Sequence, residues 1–385
     1  MKTPKFYLLG KCDQSNPSSI PLDTIQRWEQ EGYITYLGES SDVRSIIAQH
    51  SCIILPSYRE GIPRSLLEAM SMSKPIITTD VSGCKECIKT PQKQENLQIG
   101  ENGILIPPKD PHTLSCAIKT ILKLSDKELK TMGENGRKYA KERFEISHTI
   151  QTYLNTVAQY SKTNNLNLVF ISNTSFGMYN FRLPILQALQ NRGYTIHIIA
   201  PLDSSTQLLK DAGFIHHEVK INSKGLNPFE DLCLSFRLAK LLRQINPSLV
   251  FNYTIKPAIY ASMISNLLKL PNIAIITGLG YVFIEGGIKK KILKKLVCFL
   301  YKNALKKTQE VWFLNQDDRD TFLTHSILSQ HQAKILNSEG VDTDHFAPIP
   351  HDGKEFSFVL IARMLWDKGV GEFIEAIKIL KKSHD

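Results

Sequence analysis

No run of apolar residues in this chain is long enough and free enough of charge to cross a bilayer. The most apolar region, residues 273–284, is short and broken by glycines, whereas a spanning helix needs about 20 such residues. The opening ten residues hold only the apolar run 6–9, too little for an export signal. Cysteine is sparse and irregular, seven in 385 residues without framework spacing, which excludes a disulfide scaffold and favours a reducing compartment. The single C-x-x-C, Cys84 and Cys87, lacks a second pair or a nearby His pair and reads as two thiols rather than as half of a zinc centre. Gly278-x-Gly280 lacks the third glycine of a dinucleotide fingerprint, so a nicotinamide site is not expected. Aromatic-and-basic RNA motifs and zinc fingers are absent too, which argues against nucleic acid. These absences predict a cytoplasmic protein. Acid is also in deficit, 37 residues against 47 Lys and Arg for a formal charge of +10, which leaves phosphorylated ligands and anionic lipid as partners.

The most informative stretch is residues 55–70, LPSYREGIPRSLLEAM. The apolar run 52–55 reads as a buried strand, 56–61 as a polar loop, and Pro63 as a residue of a first helical turn. In a parallel sheet such a loop lies at the carboxyl end of its strand, where ligands bind, and N–H groups at the helix start suit an anion. Glu60 and Glu68 stand eight positions apart. Helical geometry over that interval would separate them by about 12 Å, too far for the two carboxylates of a retaining glycosidase at about 5 Å, but a fit to the span from ribose to hexose in a nucleotide sugar.

Strand and helix patterns alternate along the rest of the chain, which predicts α/β layers with parallel sheets. Strands are expected at 6–9, 34–37, 52–55, 75–79 and 104–106, with helices at 22–31, 42–49, 111–124 and 126–143. A polar linker at 163–165 then opens a second series, with strands at 168–171, 195–199, 249–253, 273–277 and 310–314 and helices at 183–192, 205–212 and 231–244. The chain closes with a strand at 356–361 and a helix to about 382.

The phrase around Glu60 and Glu68 resembles the E-x7-E signature of family 4 glycosyltransferases, down to Glu60-Gly61 before the helix and Glu68-Ala69-Met70 within it. NTSFGMYNFRLP at 173–184 resembles their acceptor-side domain, Gly340-Val341-Asp342 their interdomain hinge, and Arg363-x4-Lys368 their diphosphate-binding pair. The resemblance implies a GT-B fold, two Rossmann-like domains facing a cleft, in circularly permuted order. Residues 1–162 would be most of the nucleotide-sugar domain, 166–345 the acceptor domain, and 355–385 the first strand and helix of the nucleotide-sugar domain, displaced to the end of the chain. A read-through fragment of two tandem genes would have the same order.

The resemblance also implies roles. Glu60 would hold the hexose, and Arg363 and Lys368 the departing diphosphate. Glu68 would hold the ribose, Gly61, Ile62, Ser65, Leu66, Ser82 and Gly83 would contact the sugar and phosphates, and Gly38 would border the base. Tyr179, Asn180, Arg182, Thr254, Lys256, Thr277 and Tyr281 would face the acceptor; the His that many relatives carry near Tyr281 is missing. The implied reaction is transfer of a hexose or N-acetylhexosamine from a UDP-sugar to a polyprenyl-diphosphate-linked saccharide, with retention and without a bound metal or other cofactor. A catalytically silent nucleotide-sugar binder is the alternative.

Residues 288–307, IKKKILKKLVCFLYKNALKK, read as a helix with Ile288, Ile292, Leu296 and Leu300 on one face and lysines elsewhere. Such a helix is expected either to lie on anionic lipid at the cytoplasmic face of a membrane, each lysine adding about 1 kcal/mol, or to pack on a core with a solvated basic back.

Overall fold

The computed structural model describes residues 4–13, 16, 18–40, 42–161, 165–222, 227–279, 283, 287–350 and 355–382; of residues 288–290 it gives the backbone only. Thr163, Asn164, Gly280 and Tyr281 lie outside the described residues. The chain divides into two compact units, Met1–Glu145 with Gly340–Asp385, and Ile146–Glu339.

The leading part of the first unit runs β1 (Lys5–Leu9), α1 (Leu22–Gln30), β2 (Thr35–Tyr36), α2 (Val43–Gln49), β3 (Cys52–Leu55), α3 (Arg64–Ser71), β4 (Ile76–Thr79), β5 (Gln92–Gln94), β6 (Leu97–Gly100), β7 (Gly103–Ile106), α4 (Pro111–Lys123) and α5 (Asp126–Arg143). Local chemistry marks the helix starts. Asp110 accepts the Thr113 N–H ahead of Pro111, and Ser125 and Glu128 cap α5 reciprocally. The second unit runs α6 (Ile146–Tyr160), β8 (Asn167–Ile171), α7 (Ser175–Gln190), β9 (Thr195–Ala200), α8 (Thr206–Asp211), β10 (Ile215–Glu218), α9 (Pro228–Ile245), β11 (Leu249–Tyr253), α10 (Ser262–Leu267), β12 (Asn272–Ile276), α11 (Ile288–Leu305), β13 (Glu310–Phe313), α12 (Gln316–Thr324) and β14 (Ala333–Ile335). The chain then returns to the first unit with β15 (Ser357–Ile361) and α13 (Val370–Lys382).

The first sheet has the order β2-β1-β15-β3-β4-β7-β6-β5. The last strand of the chain thus lies between two of the earliest, parallel to β1 from Lys5↔Ser357 to Leu9↔Ile361 and to β3 from Phe358↔Cys52 to Leu360↔Ile54. Its side chains alternate. Phe358 and Leu360 pack with α1, α4 and α13, while Val359 and Ile361 pack with α2, α3 and α5. Helices therefore cover both faces, as near-continuous apolar strands require. Only the β5–β6–β7 edge is antiparallel. A tight turn at residues 101–102 joins β6 to β7, with Gly103 already paired to Gly100.

The second sheet is parallel throughout, in the order β10-β9-β8-β11-β12-β13-β14. Unit boundaries differ from those expected at 162–166 and 345–355. Helix α6 belongs to the second unit because Tyr153 is buried there against Phe251 and edge-on to Trp312, while Val341 and Phe346 join the first unit's core beside Phe144. Among the described residues no helix is long and apolar enough to cross a membrane.

Lys74, between α3 and β4, donates Nζ to the Ala48 carbonyl at 2.7 Å, and burial lowers its pKa from 10.5 to about 8. Between those values the unfolded chain holds more protons than the folded one, so resistance to unfolding rises with pH across that window. Lys74→Met is expected to remove close to one proton from that slope between about pH 8 and 10.5, measured as urea midpoints against pH. An unchanged slope would contradict the burial of a neutral amine.

Candidate functional site

The loop after β3 carries Glu60, and three chain segments fix it. Ser57 is fully buried and donates Oγ to Glu60 Oε1 at 2.7 Å. Its carbonyl accepts from Thr79 Oγ1 at the end of β4. The Glu60 N–H donates to the Ser82 carbonyl at 3.1 Å. Gly83, at φ +84°, presses so closely on the Glu60 and Gly61 carbonyls that a Cβ there would collide with them. A side chain at Gly83 would also strain that backbone.

From the tail, the loop after β15 reaches the same place. Lys368 Nζ lies 2.5 Å from Glu60 Oε1, both side chains at about 15% exposure (14% and 16%). The Tyr58 N–H donates to the Asp367 carbonyl at 2.9 Å, and the Tyr58 hydroxyl to Glu372 of α13. Gly369, at φ +73°, leaves no room for a Cβ against the Pro56 carbonyl. Residues more than 300 positions apart in sequence thus share one carboxylate–ammonium pair. Arg363 is exposed just beyond β15 and forms no ion pair among the described residues. An exposed guanidinium and a largely buried ammonium carried on the one loop after β15 suit a ligand with two adjacent anionic groups.

The remaining first-unit candidates line neighbouring positions. Helix α3 begins at Arg64 behind Pro63, and no side chain caps it. The Ser65 N–H has no acceptor among the described residues, while Leu66 is buried and returns its N–H to Pro63 at 3.1 Å. Ile62 packs against the core. Glu68 is buried, and burial raises its carboxyl pKa above the ordinary value; Arg64, at 2.7 Å, opposes that shift. Gly38 follows β2 at φ +71° and its carbonyl accepts the Gly10 N–H at 2.7 Å. Cys84 and Cys87 are both buried; burial, then the Glu60 charge, pushes the Cys84 thiol up to about 12. A thiol so protonated at neutral pH is inert.

In the second unit the expected acceptor residues have differing surroundings. Helix α7 starts eight residues before the expected 183, because the Thr174 hydroxyl caps it by accepting the Gly177 N–H at 3.0 Å, and Pro184 lies inside it. Tyr179 and Asn180 are therefore on a helix rather than on a loop. Tyr179 is half-buried, and exposed Asn180 turns its amide back to the Phe176 carbonyl. Arg182 is buried: it holds Glu339 Oε1 at 2.5 Å and lies 4.5 Å from the Tyr253 ring centroid. Lys256 is paired at 2.5 Å with Asp231, which also accepts from the Tyr260 hydroxyl. Thr254 adopts φ +70°, a strained conformation for a β-branched residue, and its buried hydroxyl has no partner among the described residues. A π-helical turn, Pro257–Ala261, follows, a local irregularity common at functional sites. Thr277 is half-buried just past β12.

Ser57, Tyr58, Glu372, Glu339 and Asp231 take part in these contacts without having stood out in the sequence. Only Ser57, three residues before Glu60, carried a local signal.

The sequence pattern of the family described as glycosyl transferases group 1 matches residues 2–124, and that described as glycosyl transferase 4-like matches residues 168–315. Its two domains are glycosyltransferase domains. Two Rossmann-like α/β units of these types make the fold class of this chain GT-B. Over 226 residues the chain is 30% identical to the N,N'-diacetylbacillosaminyl-diphospho-undecaprenol alpha-1,3-N-acetylgalactosaminyltransferase of Campylobacter jejuni, covering 55% of this chain and 60% of that protein. It is 25% identical over 162 residues to the capsular polysaccharide biosynthesis glycosyltransferase CapM of Staphylococcus aureus, covering 41% and 39%. Among solved structures, a glycosyltransferase from Rickettsia africae is similar with a TM-score of 0.36 and 17% identity, over 45% of this chain and 42% of that one. The chain therefore spans less than two thirds of the length of the curated relatives it matches.

Proposed function

We propose that this glycosyltransferase moves a hexose or N-acetylhexosamine from a UDP-sugar to a saccharide carried on a polyprenyl diphosphate, with retention of anomeric configuration, in the synthesis of surface polysaccharide or glycoprotein glycans. The observation that carries the reading is the Glu60–Lys368 pair, which joins the two motifs of the first domain at the carboxyl ends of β3 and β15. The named action of the Campylobacter relative on a diphospho-undecaprenol substrate supports the acceptor class.

In this reading Lys368 and Arg363 bind the diphosphate, whose leaving oxygen gains negative charge as the bond to sugar C1 breaks; fixed cations stabilise that charge in the transition state. No metal is needed for that step. The N–H of Ser65 at the start of α3 adds to the same field, while that of Leu66 is already given to the Pro63 carbonyl. Glu60, held by Ser57, orients the hexose, with the backbone at Gly61, Ile62, Ser82 and Gly83 around it. Glu68 takes the ribose hydroxyls, and Gly38 borders the base. With no second carboxylate in the motif as an obvious nucleophile, the acceptor oxygen attacks C1 on the face from which the diphosphate leaves, and its proton passes to the departing phosphate oxygen. The acceptor residues are Tyr179, Asn180, Thr254, Thr277 and Tyr281, with Arg182 and Lys256 holding Glu339 and Asp231 behind them. The order of the domains is that of a circular permutant of the family arrangement.

The test is turnover across a panel of UDP-sugars with a polyprenyl-diphosphate-linked acceptor, the product's anomeric configuration being read by NMR. Transfer from one UDP-sugar with retention is the expected result. Binding of UDP with no transfer to any acceptor would overturn it in favour of a silent nucleotide-sugar binder.

A further inference from the structure

Helix α11 carries two apolar stripes rather than one. Val297, Tyr301, Ala304 and Leu305 are buried in the core beneath it, whereas Ile292, Leu296 and Phe299 point outward. Of the apolar face expected from the sequence, Ile292 and Leu296 are thus on the outside, with exposed Lys291, Lys295 and Lys302 interleaved, whereas Leu300 packs against the core. A core-packed helix with a merely basic back would not leave those three side chains in water.

The outer stripe has neighbours. Strands β11, β12 and β13 advance in one direction across the sheet, and β10 crosses back the same way to β11, so right-handed connections put α9, α10 and α11 on one face. Helix α10 packs against both others, and Asn266 on it donates to the Ala304 carbonyl of α11 at 2.7 Å. On α9, Phe229 and Phe236 are about 70% exposed (72% and 69%), and on α10 Leu267 is 72% exposed. Singly exposed apolar residues are ordinary, but six such side chains across three adjoining helices are not. Charge around them is predominantly basic. Arg237, Lys240 and Arg243 on α9 add to the α11 lysines, α10 and α11 contain no acid, and of the two acids on α9 Asp231 is buried against Lys256, which leaves Glu230, next to Phe229, as the one exposed carboxylate on these three helices.

We propose that α9, α10 and α11 together form one docking face for an anionic bilayer, with Phe229, Phe236, Leu267, Ile292, Leu296 and Phe299 entering the acyl boundary while the basic side chains meet the headgroups. Aromatic and aliphatic anchors ringed by lysine and arginine on the outer sides of helices are the chemistry of an interfacial surface. The anchors on α9 and α11 begin within the first two turns of each helix, near the carboxyl edge of the sheet that holds Thr254 and Thr277. The inference gives the lipid-linked acceptor reading a membrane to work at, and rests on that reading for its purpose only.

The experiment is flotation of the full chain with phosphatidylglycerol-containing vesicles, with phosphatidylcholine vesicles alone, and with the anionic vesicles in 0.5 M salt (on the order of a 4 Å Debye length). Wild type is expected to float with the anionic vesicles only and to be released by salt. Phe229→Ser/Phe236→Ser on α9 and Ile292→Ser/Leu296→Ser/Phe299→Ser on α11 are each expected to weaken partition at least ~10-fold with unchanged urea midpoints. Wild-type flotation of the α9 variant would overturn the three-helix face, and so would absence of flotation with anionic vesicles, or a concentration-dependent dimer that the serine variants abolish. Flotation needs no sugar donor, so lipid binding without transfer would remove the proposed reaction and leave this face standing.

Discussion

Glu60→Gln is expected to lower kcat by about 10²–10⁴-fold while the KM for the donor stays level or falls. The carboxylate oxygen that accepts from Ser57 Oγ at 2.7 Å also holds Lys368 at 2.5 Å, so glutamine keeps the shape of the loop and removes only the charge. In the absence of donor this leaves a largely buried ammonium without its counter-charge, which a diphosphate restores on binding. Ground-state affinity is thereby spared or improved, and the loss falls on the step in which the hexose must be oriented and its developing charge matched. Lys368→Met takes away the opposite partner, and donor KM should rise together with a fall in kcat. Because the two groups work as one unit, the double variant is expected to lose far less than the product of the single losses. Steady-state kinetics on the three variants decide the matter, and wild-type kcat in Glu60→Gln would end the assignment of Glu60 to the reaction.

Local pattern reached some features of this molecule and missed others for identifiable reasons. Residues 52–70 were legible because a short β-rich apolar run, a polar loop and a proline before a helix are all signals within a few positions. The tail strand was legible in the same way: SFVLI is apolar on both faces, as only a central parallel strand tolerates. The start of α7 was misplaced because Gly177 and Pro184 weigh against a helix locally, while the Thr174 cap and the burial of Met178, Ile185 and Leu186 outweigh them. The pairing of Arg182 and Lys256, expected to face the acceptor, was not legible because their partners are 157 and 25 positions away, beyond any periodic signal. For α11, periodicity showed an apolar stripe but not which of two stripes faced the core.

Removal of residues 355–385 is expected to unfold the first unit outright. Strand β15 is the third of eight in its sheet and pairs on both sides, so its loss leaves two rows of backbone groups facing a gap rather than an edge. Phe358, Leu360, Phe373, Ile374 and Ile377 are all buried, and at about 1.5–3 kcal/mol apiece they hold roughly 8–15 kcal/mol, comparable to the about 5–15 kcal/mol that stabilises a whole domain. The truncated chain should therefore lose the first unit's unfolding transition in urea, along with that unit's helix signal. Placing the same thirty-one residues ahead of Met1 through a short linker should restore both, because α13 carries the chain from the carboxyl ends of the strands back to the end at which β1 begins, and connections of that kind tolerate being cut or joined. If the truncated protein kept its full transition, β15 would not be integral to this sheet, and neither the Glu60–Lys368 pair nor the proposed circular permutation would survive.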